Sequence, residues 1–222
     1  MSTEGEAGFA ALVVHELRSP LAAMVGAARM LRARWPDLDD AQREALLALL
    51  ADESGRVDRL LGELQDASRV AAGGFAYEFA EVDTGRLIGD AVAAARVAAG
   101  DVSVQARLDG PPVLVRGDAG RLRQALDNLI GNAVKVSPPG AEVEVAAESR
   151  AGALRISVTD SGPGVVAADR ERIFEAFEQA GNRPGAGLGL HVARAIAEAH
   201  GGAVEVDSAP DGGAIFALVL PV

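Results

Sequence analysis

At 222 residues, 24% charged and 49% hydrophobic, the chain has room for one large domain or two small ones and the composition of a folded protein. A net charge of −11 with no run of four basic residues excludes a nucleic-acid binder, whose phosphate contacts need a basic surface. Cysteine is absent, which removes disulfides, thiol chemistry and Cys-ligated zinc, and aromatics at 4% leave the core to small aliphatic side chains. No apolar run reaches the ~18 residues that span a bilayer, and Glu4 and Glu6 stand where a signal peptide would carry Lys or Arg. The expectation is a cytoplasmic chain, alone or as the cytoplasmic part of a longer receptor, with no membrane segment and no nucleic-acid partner.

From the N-terminus, Val14, Leu17, Leu21, Met24, Ala28, Leu31 and Trp35 recur at alternating steps of three and four, a heptad seam on a helix. Trp35-Pro36-Asp37-Leu38-Asp39 interrupts it, with Pro36 closing the first helix and Asp39 or Asp40 able to cap the next. The second helix repeats the pattern through Leu46, Leu50, Glu53, Val57, Leu60, Leu64 and Ala67. Two long antiparallel helices cannot bury such seams by themselves. A second copy of the hairpin is the natural cover, giving a dimeric four-helix bundle; the alternative is a monomeric hairpin packed on the rest of the chain.

Ala71-Ala72-Gly73-Gly74 reads as a linker, with Gly73-Gly74 a plausible hinge, and beyond it strands alternate with helices. The expected strands are 77–81, 102–108, 113–116, 142–148, 154–159, 203–206 and 215–220. The expected helices are 84–98, 119–136 and 188–200. The fold class is thus multi-domain, an all-α hairpin followed by an α/β two-layer sandwich. Its divisions are 1–70 for the hairpin, 71–80 for the linker and first strand, and 81–222 for the second domain.

Four groups of residues carry chemistry. His15 follows a seam residue, about 100° round the helix towards solvent, where an imidazole can attack phosphorus. Glu16 beside it can take the proton of the other ring nitrogen, and Pro20 leaves the Glu16 carbonyl without its helical donor. An exposed surface histidine is the plain alternative. Asn128, Asn132 and Lys135 stand at i, i+4 and i+7 on one helix face. Their carboxamides suit a hard cation such as Mg2+, with Asn132 the metal ligand, and the ammonium suits a phosphate; the alternative is an ordinary wet face. Asp160, Gly162 and Gly164 follow an apolar strand, an acceptor beside glycines that let backbone approach a flat ligand, or simply a turn. Gly185, Gly187, Leu188, Gly189 and Leu190 precede a helix, whose unhindered N–H groups can hold anionic phosphates. A dinucleotide fingerprint would need these glycines after the first strand of a βαβ unit, so that reading fails on order. His191 reads as a surface or pocket-lining residue, and His200 as an imidazolium at a helix C-terminus before Gly201.

In this order, His15-Glu16-Leu17-Arg18-Ser19-Pro20-Leu21, the stretch from Arg121 to Ser137, Asp160-Ser161-Gly162-Pro163-Gly164, Ile173-Phe174 to Phe177-Glu178, and Gly185 to Leu190 resemble the motifs of two-component sensor histidine kinases. The resemblance runs from about Phe9 to Pro221. It implies ATP and Mg2+ as cofactors, autophosphorylation of His15, and onward transfer to an aspartate of a response-regulator receiver domain by a homodimer. It implies that Asp160 takes the adenine amino hydrogen bond and that Gln179 to Pro184 form a lid, with Arg183 its candidate phosphate contact. Related ATPases carry a glutamate at the first asparagine-box position to activate water. Asn128 stands there, so the phosphoryl group must go to another nucleophile. Glu16 and Ser19 fall where family members with phosphatase activity carry an acidic residue and Thr or Asn.

Three positions depart from the family: Val136 where Tyr or Phe is common, Ala214 where Thr is common, and a short lid. They motivate a second reading, a catalytically weak pseudokinase or scaffold that binds nucleotide and regulates a partner.

Overall fold

The computed structural model describes the backbone of residues 3–108, 110–111, 113–150, 152–176 and 187–222, and their side chains except those of 3–12 and 15. The chain divides into two compact units, Met1–Ser68 and Arg69–Val222. The first holds α1 (Thr3–Arg34), a 3-10 turn (Trp35–Asp37) and most of α2 (Asp40–Ala71). Each helix has 32 residues, about 48 Å at 1.5 Å per residue. Asp39 starts α2 by accepting the Gln42 N–H at 2.7 Å, while Gln42 Oε1 accepts the Asp39 N–H at 3.1 Å. The reciprocal pair satisfies two donors that a helix start leaves free.

The α2 seam faces inward as its heptads require: Leu60 and Ala67 are buried, and Leu46, Leu50, Glu53, Val57 and Leu64 half-buried. On α1 only alternate seam members do so. Leu31 is buried and Leu17 and Met24 half-buried, with Pro20 and Ala27 buried beside them. Val14 and Leu21 are 53% and 46% exposed, and Val25 on the same flank 48%. One hairpin offers α1 one partner helix, so one flank of a two-sided seam stays open. Trp35 leaves the seam because the chain turns there; the Arg43 guanidinium lies 4.8 Å above its ring.

The second unit runs β1 (Ala80–Asp83), α3 (Thr84–Ala98), β2 (Ser103–Leu108), β3 (Leu114–Gly117), α4 (Ala119–Val136), β4 (Glu142–Arg150), β5 (Ala153–Thr159), α5 (Gly189–Ala199), β6 (Ala203–Ser208) and β7 (Ala214–Pro221). Five strands form one sheet in the order β2-β4-β5-β7-β6, parallel between β2 and β4 and antiparallel elsewhere. β1 and β3 pair antiparallel as a separate ribbon. Strand alternation makes the layers: Leu154, Ile156 and Val158 of β5 are buried, while Arg155 and Ser157 between them are not. Leu122, Leu126, Leu129 and Ile130 of α4 and Val192, Ala193 and Ile196 of α5 join the same core.

The first strand begins at Ala80, three residues later than the apolar run from Tyr77 predicts. Tertiary packing claims that run instead. Phe75 and Tyr77 meet edge to face, and Tyr77 and Phe79 flank the His200 ring at centroid distances of 5.4 and 4.9 Å. His200 is buried, accepts the Asp118 N–H at Nε2 (2.9 Å), and its Nδ1 lies 2.7 Å from the Ile196 carbonyl. A ring that donates from Nδ1 and accepts at Nε2 is the neutral tautomer, so the expected imidazolium at this helix end is corrected. Gly201 takes the positive φ (+73°) of the helix stop, and the Gly202 N–H closes it on the Ala197 carbonyl at 2.9 Å.

Asp118 joins three elements at this point. Its Oδ1 caps α4 by accepting the Arg121 N–H (3.0 Å), and its Oδ2 accepts the Glu78 N–H (3.0 Å). Burial opposes its charge, yet the N–H groups of Glu78, Arg121 and Gly120 and the Arg121 guanidinium outweigh it and hold the carboxyl below its ordinary value. Because a depressed carboxyl stabilises the fold only while ionised, Asp118→Ala is expected to cost about 1–2 kcal/mol at pH 7. The gap should shrink as pH falls below the ordinary aspartate value of about 3.9 and through the depressed one. Urea melts of both proteins across pH 2–7 measure it; a gap independent of pH would contradict the assignment.

Candidate functional site

α4 presents the polar stripe that the spacing predicts, because its apolar residues at 122, 125, 126, 129, 130 and 133 all face the core. Asn128, half-buried, donates from Nδ2 to the Gly189 carbonyl at 3.1 Å, fastening α4 to the first residue of α5. That bond makes Asn128 a brace between two elements of the site. Asn132, one turn on, is half-buried, and its Nδ2 is buried without a hydrogen-bond partner among the described residues. A buried amide left unpaired costs free energy unless a ligand completes it. Lys135 is exposed at the end of the stripe.

Asp160 caps the end of β5, 3% exposed. Its Oδ1 accepts two backbone N–H groups, from Gly162 at 2.8 Å and Ala214 at 3.1 Å, and its own N–H donates to the Ala214 carbonyl at 2.9 Å. Two donors on one oxygen fix the carboxylate plane and leave Oδ2 as the oxygen that can read a ligand. The glycines answer for the close approach. A Cβ on Gly162 would lie 2.8 Å from Val136 Cγ2 and 2.9 Å from Asp160 Oδ1. One on Gly213, at φ +89°, would lie 2.0 Å from the Asp160 carbonyl oxygen. Gly164 packs against Gly213 in turn, with 3.0 Å between its would-be Cβ and the Gly213 carbonyl oxygen.

At the start of α5, Gly187 bends the chain, Leu188 is buried, and Gly189 opens the helix with Leu190 packed against the core. α3 and α4 each carry an aspartate cap, but among the described residues no side chain caps α5. Its first N–H groups therefore lack the side-chain acceptor that helix starts usually have, and an anion suits them. His191 Nδ1 lies 3.2 Å from the Phe174 carbonyl, tying α5 to the 3-10 turn Arg172–Phe174. The Arg194 guanidinium sits 5.7 Å from the Phe174 ring centroid on the same turn. Arg183, Gly185 and the Phe177-Glu178 pair lie outside the described residues.

On the hairpin, His15 lies on α1, its side chain outside the described residues. Glu16 is half-buried, and its carboxylate stands 3.8 Å from the Arg56 guanidinium of α2. The sequence reading overlooked Ser137 as a separate group, along with the backbone N–H of Ala214. Ser137 was legible only as the residue that ends α4 before Pro138-Pro139, and a backbone donor leaves no mark in a sequence.

Two family models match the chain: the His Kinase A (phospho-acceptor) domain over residues 6–73, and the histidine kinase-, DNA gyrase B- and HSP90-like ATPase over residues 117–222. The sensor-like histidine kinase SenX3 of Mycobacterium tuberculosis is 35% identical over 219 residues, 96% of this chain and 53% of its own length. The chain thus spans about half the length of this curated relative. Among solved structures, mycobacterial sensor histidine kinase MprB is 32% identical with a TM-score of 0.60, covering 65% of this chain and 97% of its own. Full-length ShkA in complex with AMPPNP is 33% identical with a TM-score of 0.70, covering 97% of this chain and 45% of its own.

The approach of Gly213 to Asp160 separates two costs of a side chain. Gly212 has a similar φ of +96° but open space around it. Gly212→Ala is expected to cost about 1 kcal/mol and Gly213→Ala about 3 kcal/mol or more, read as two distinct drops in Tm. Equal drops would mean that the loop does not hold Asp160 at this distance.

Proposed function

Since the chain belongs to the sensor histidine kinases, we propose that it is the catalytic core of such a kinase, transferring the γ-phosphoryl of ATP to His15 and then to a response-regulator aspartate. The nucleotide half of the reading is supported above all by Asp160, a buried carboxylate locked on one oxygen by Gly162 and Ala214 and free on the other. An acceptor so fixed suits the amino group of adenine. At the opposite end, Asn132, whose Nδ2 has no partner among the described residues, Lys135 and the start of α5 with Gly187, Leu188, Gly189 and Leu190 suit a metal-bound triphosphate. Gly162 and Gly164 let the loop pack closely on Asp160, Val136 and Gly213, and Gly185 and Arg183 complete the phosphate side by their place in the motif.

Mg2+ is a hard cation that takes oxygen ligands, and the carboxamide oxygen of Asn132 would hold it. Bound there, Mg2+ would neutralise phosphate charge. The chain's own residues do the rest. Asp160 orients the base, Lys135 draws the phosphate chain to α4, and the helix start of α5 favours its negative charge. A ring nitrogen of His15 forms the new bond to the γ-phosphorus as the bond from that phosphorus to the β-phosphate oxygen breaks and ADP leaves. Glu16 accepts the proton of the other ring nitrogen, an acceptor already steadied by Arg56. No carboxylate occupies position 128 to activate water, so hydrolysis does not compete. The phosphoryl group then passes from the imidazole to the carboxylate of a receiver domain.

In this reading residues 1–70 are the phosphoacceptor hairpin, 71–80 the linker and 81–222 the nucleotide-binding domain. The open flank of α1 at Val14, Leu21 and Val25 supports closure by a second hairpin into a homodimer. Among the described residues no helix is long and apolar enough to cross a membrane; in this reading the chain works in the cytoplasm, where ATP is supplied. The alternative scaffold reading draws no support from the comparisons. Incubation with γ-labelled ATP and Mg2+ should give label that survives alkali and is lost in acid, as phosphohistidine does. His15→Gln should lower it at least 100-fold, on the order of a lost nucleophile's effect. Label retained by that variant would move the acceptor elsewhere.

A further inference from the structure

α4 ends on Ser137, 8% exposed, whose N–H donates to the Ala133 carbonyl at 3.1 Å. Its hydroxyl has a second task. Oγ accepts the N–H of Ser161 at 3.2 Å, the residue directly after Asp160. Ser161 in turn donates from its own hydroxyl to the Glu142 carbonyl at 3.2 Å, which ties the loop to the start of β4. The Asp160 loop is therefore held from two sides: by Ala214 on β7, and by Ser137 on the helix that carries Asn132 and Lys135.

We infer that Ser137 is a positioning residue for the nucleotide, its hydroxyl setting the distance between the base acceptor Asp160 and the phosphate-binding end of α4. The inference rests on the nucleotide reading above. A ligand that spans both ends gains full affinity only when the two are in register, because a shift of the loop breaks the base contact or strains the phosphate contacts. Loss of the hydroxyl leaves the Ser161 N–H without its acceptor and frees the loop to shift. A ligand that touches only the phosphate end is indifferent to that shift. A residue of merely structural importance would weaken both ligands alike.

The test compares Ser137→Thr with Ser137→Val, which share a shape and differ in the hydroxyl; the extended backbone at this position, φ −77° and ψ 136°, admits both. Titration calorimetry of the full chain uses Mg–ADP and, separately, Mg–tripolyphosphate, and thermal melts establish that each variant is folded. The expected result is a Kd for Mg–ADP raised about 5–10-fold in Ser137→Val and less than about twofold in Ser137→Thr, the scale of one hydrogen bond. Tripolyphosphate should bind all three proteins within about twofold. Should Ser137→Val fail to fold, Ser137→Ala takes its place with the same expectation. Equal ADP affinity in the Thr and Val variants, or equal weakening of ADP and tripolyphosphate, would overturn the inference. Failure of the unaltered chain to bind Mg–ADP would remove the nucleotide reading and this inference together.

Discussion

A buried carboxylate has to be held by hydrogen bonds, and at Asp160 the holding groups come from backbone far apart in the chain. The Gly162 N–H is local, two residues on, but the Ala214 N–H arrives from β7, 54 residues further along the chain. This pairing forces much of what surrounds it. β7 must lie beside β5 so that the Asp160 N–H can reach the Ala214 carbonyl and the Ala214 N–H the Asp160 carboxylate, and the register of Thr159 with Ile215 provides that. Position 213 must have no side chain, because the carbonyl of Asp160 stands where a Cβ would be. Position 162 must be equally bare, since Val136 and the carboxylate itself enclose it. The proposed base-reading end is thus a property of the sheet's interior strands.

The phosphate end is built on different terms. α4 spends its apolar face on the core and shows its polar stripe at the border, where Asn128 braces α5 and Asn132 stays unpaired. A brace and a ligand one helical turn apart look identical in a sequence. The distinction arises because α5 approaches α4 at Gly189, close enough that the Asn128 amide finds its carbonyl.

At the far end of α4 from Ser137, Asp118 and His200 gather the segment from Phe75 to Phe79, the N-terminus of α4 and the C-terminus of α5. Rings and hydrogen bonds claim the residues that apolar patterning assigns to a strand, and β1 starts only where Ala80 can pair with Gly117. Gly117 sits against the His200 ring with no room for a side chain, the would-be Cβ lying 2.8 Å from Cδ2. Gly73 and Gly74, both at positive φ, precede this docked segment. Their N–H groups close the end of α2 on the Val70 and Arg69 carbonyls, at 3.2 and 2.9 Å.

Local chemistry wrote a large share of this protein plainly. The helices Thr84–Ala98 and Ala119–Val136 have the predicted bounds because Asp83 and Asp118 cap them and Gly or Pro follows, all signals within a few residues. The α2 seam and the order of the motifs are legible for the same reason, since periodicity and spacing are properties of a line. What the line does not hold is which groups meet across it. The half-open seam of α1, the neutral His200, the Asn128 brace and the bond from Ser137 to the Asp160 loop were decided by the tertiary structure. Each depends on a backbone carbonyl, a backbone N–H or a packing face whose place is set by elements tens of residues away, and such groups have no letter of their own in the sequence.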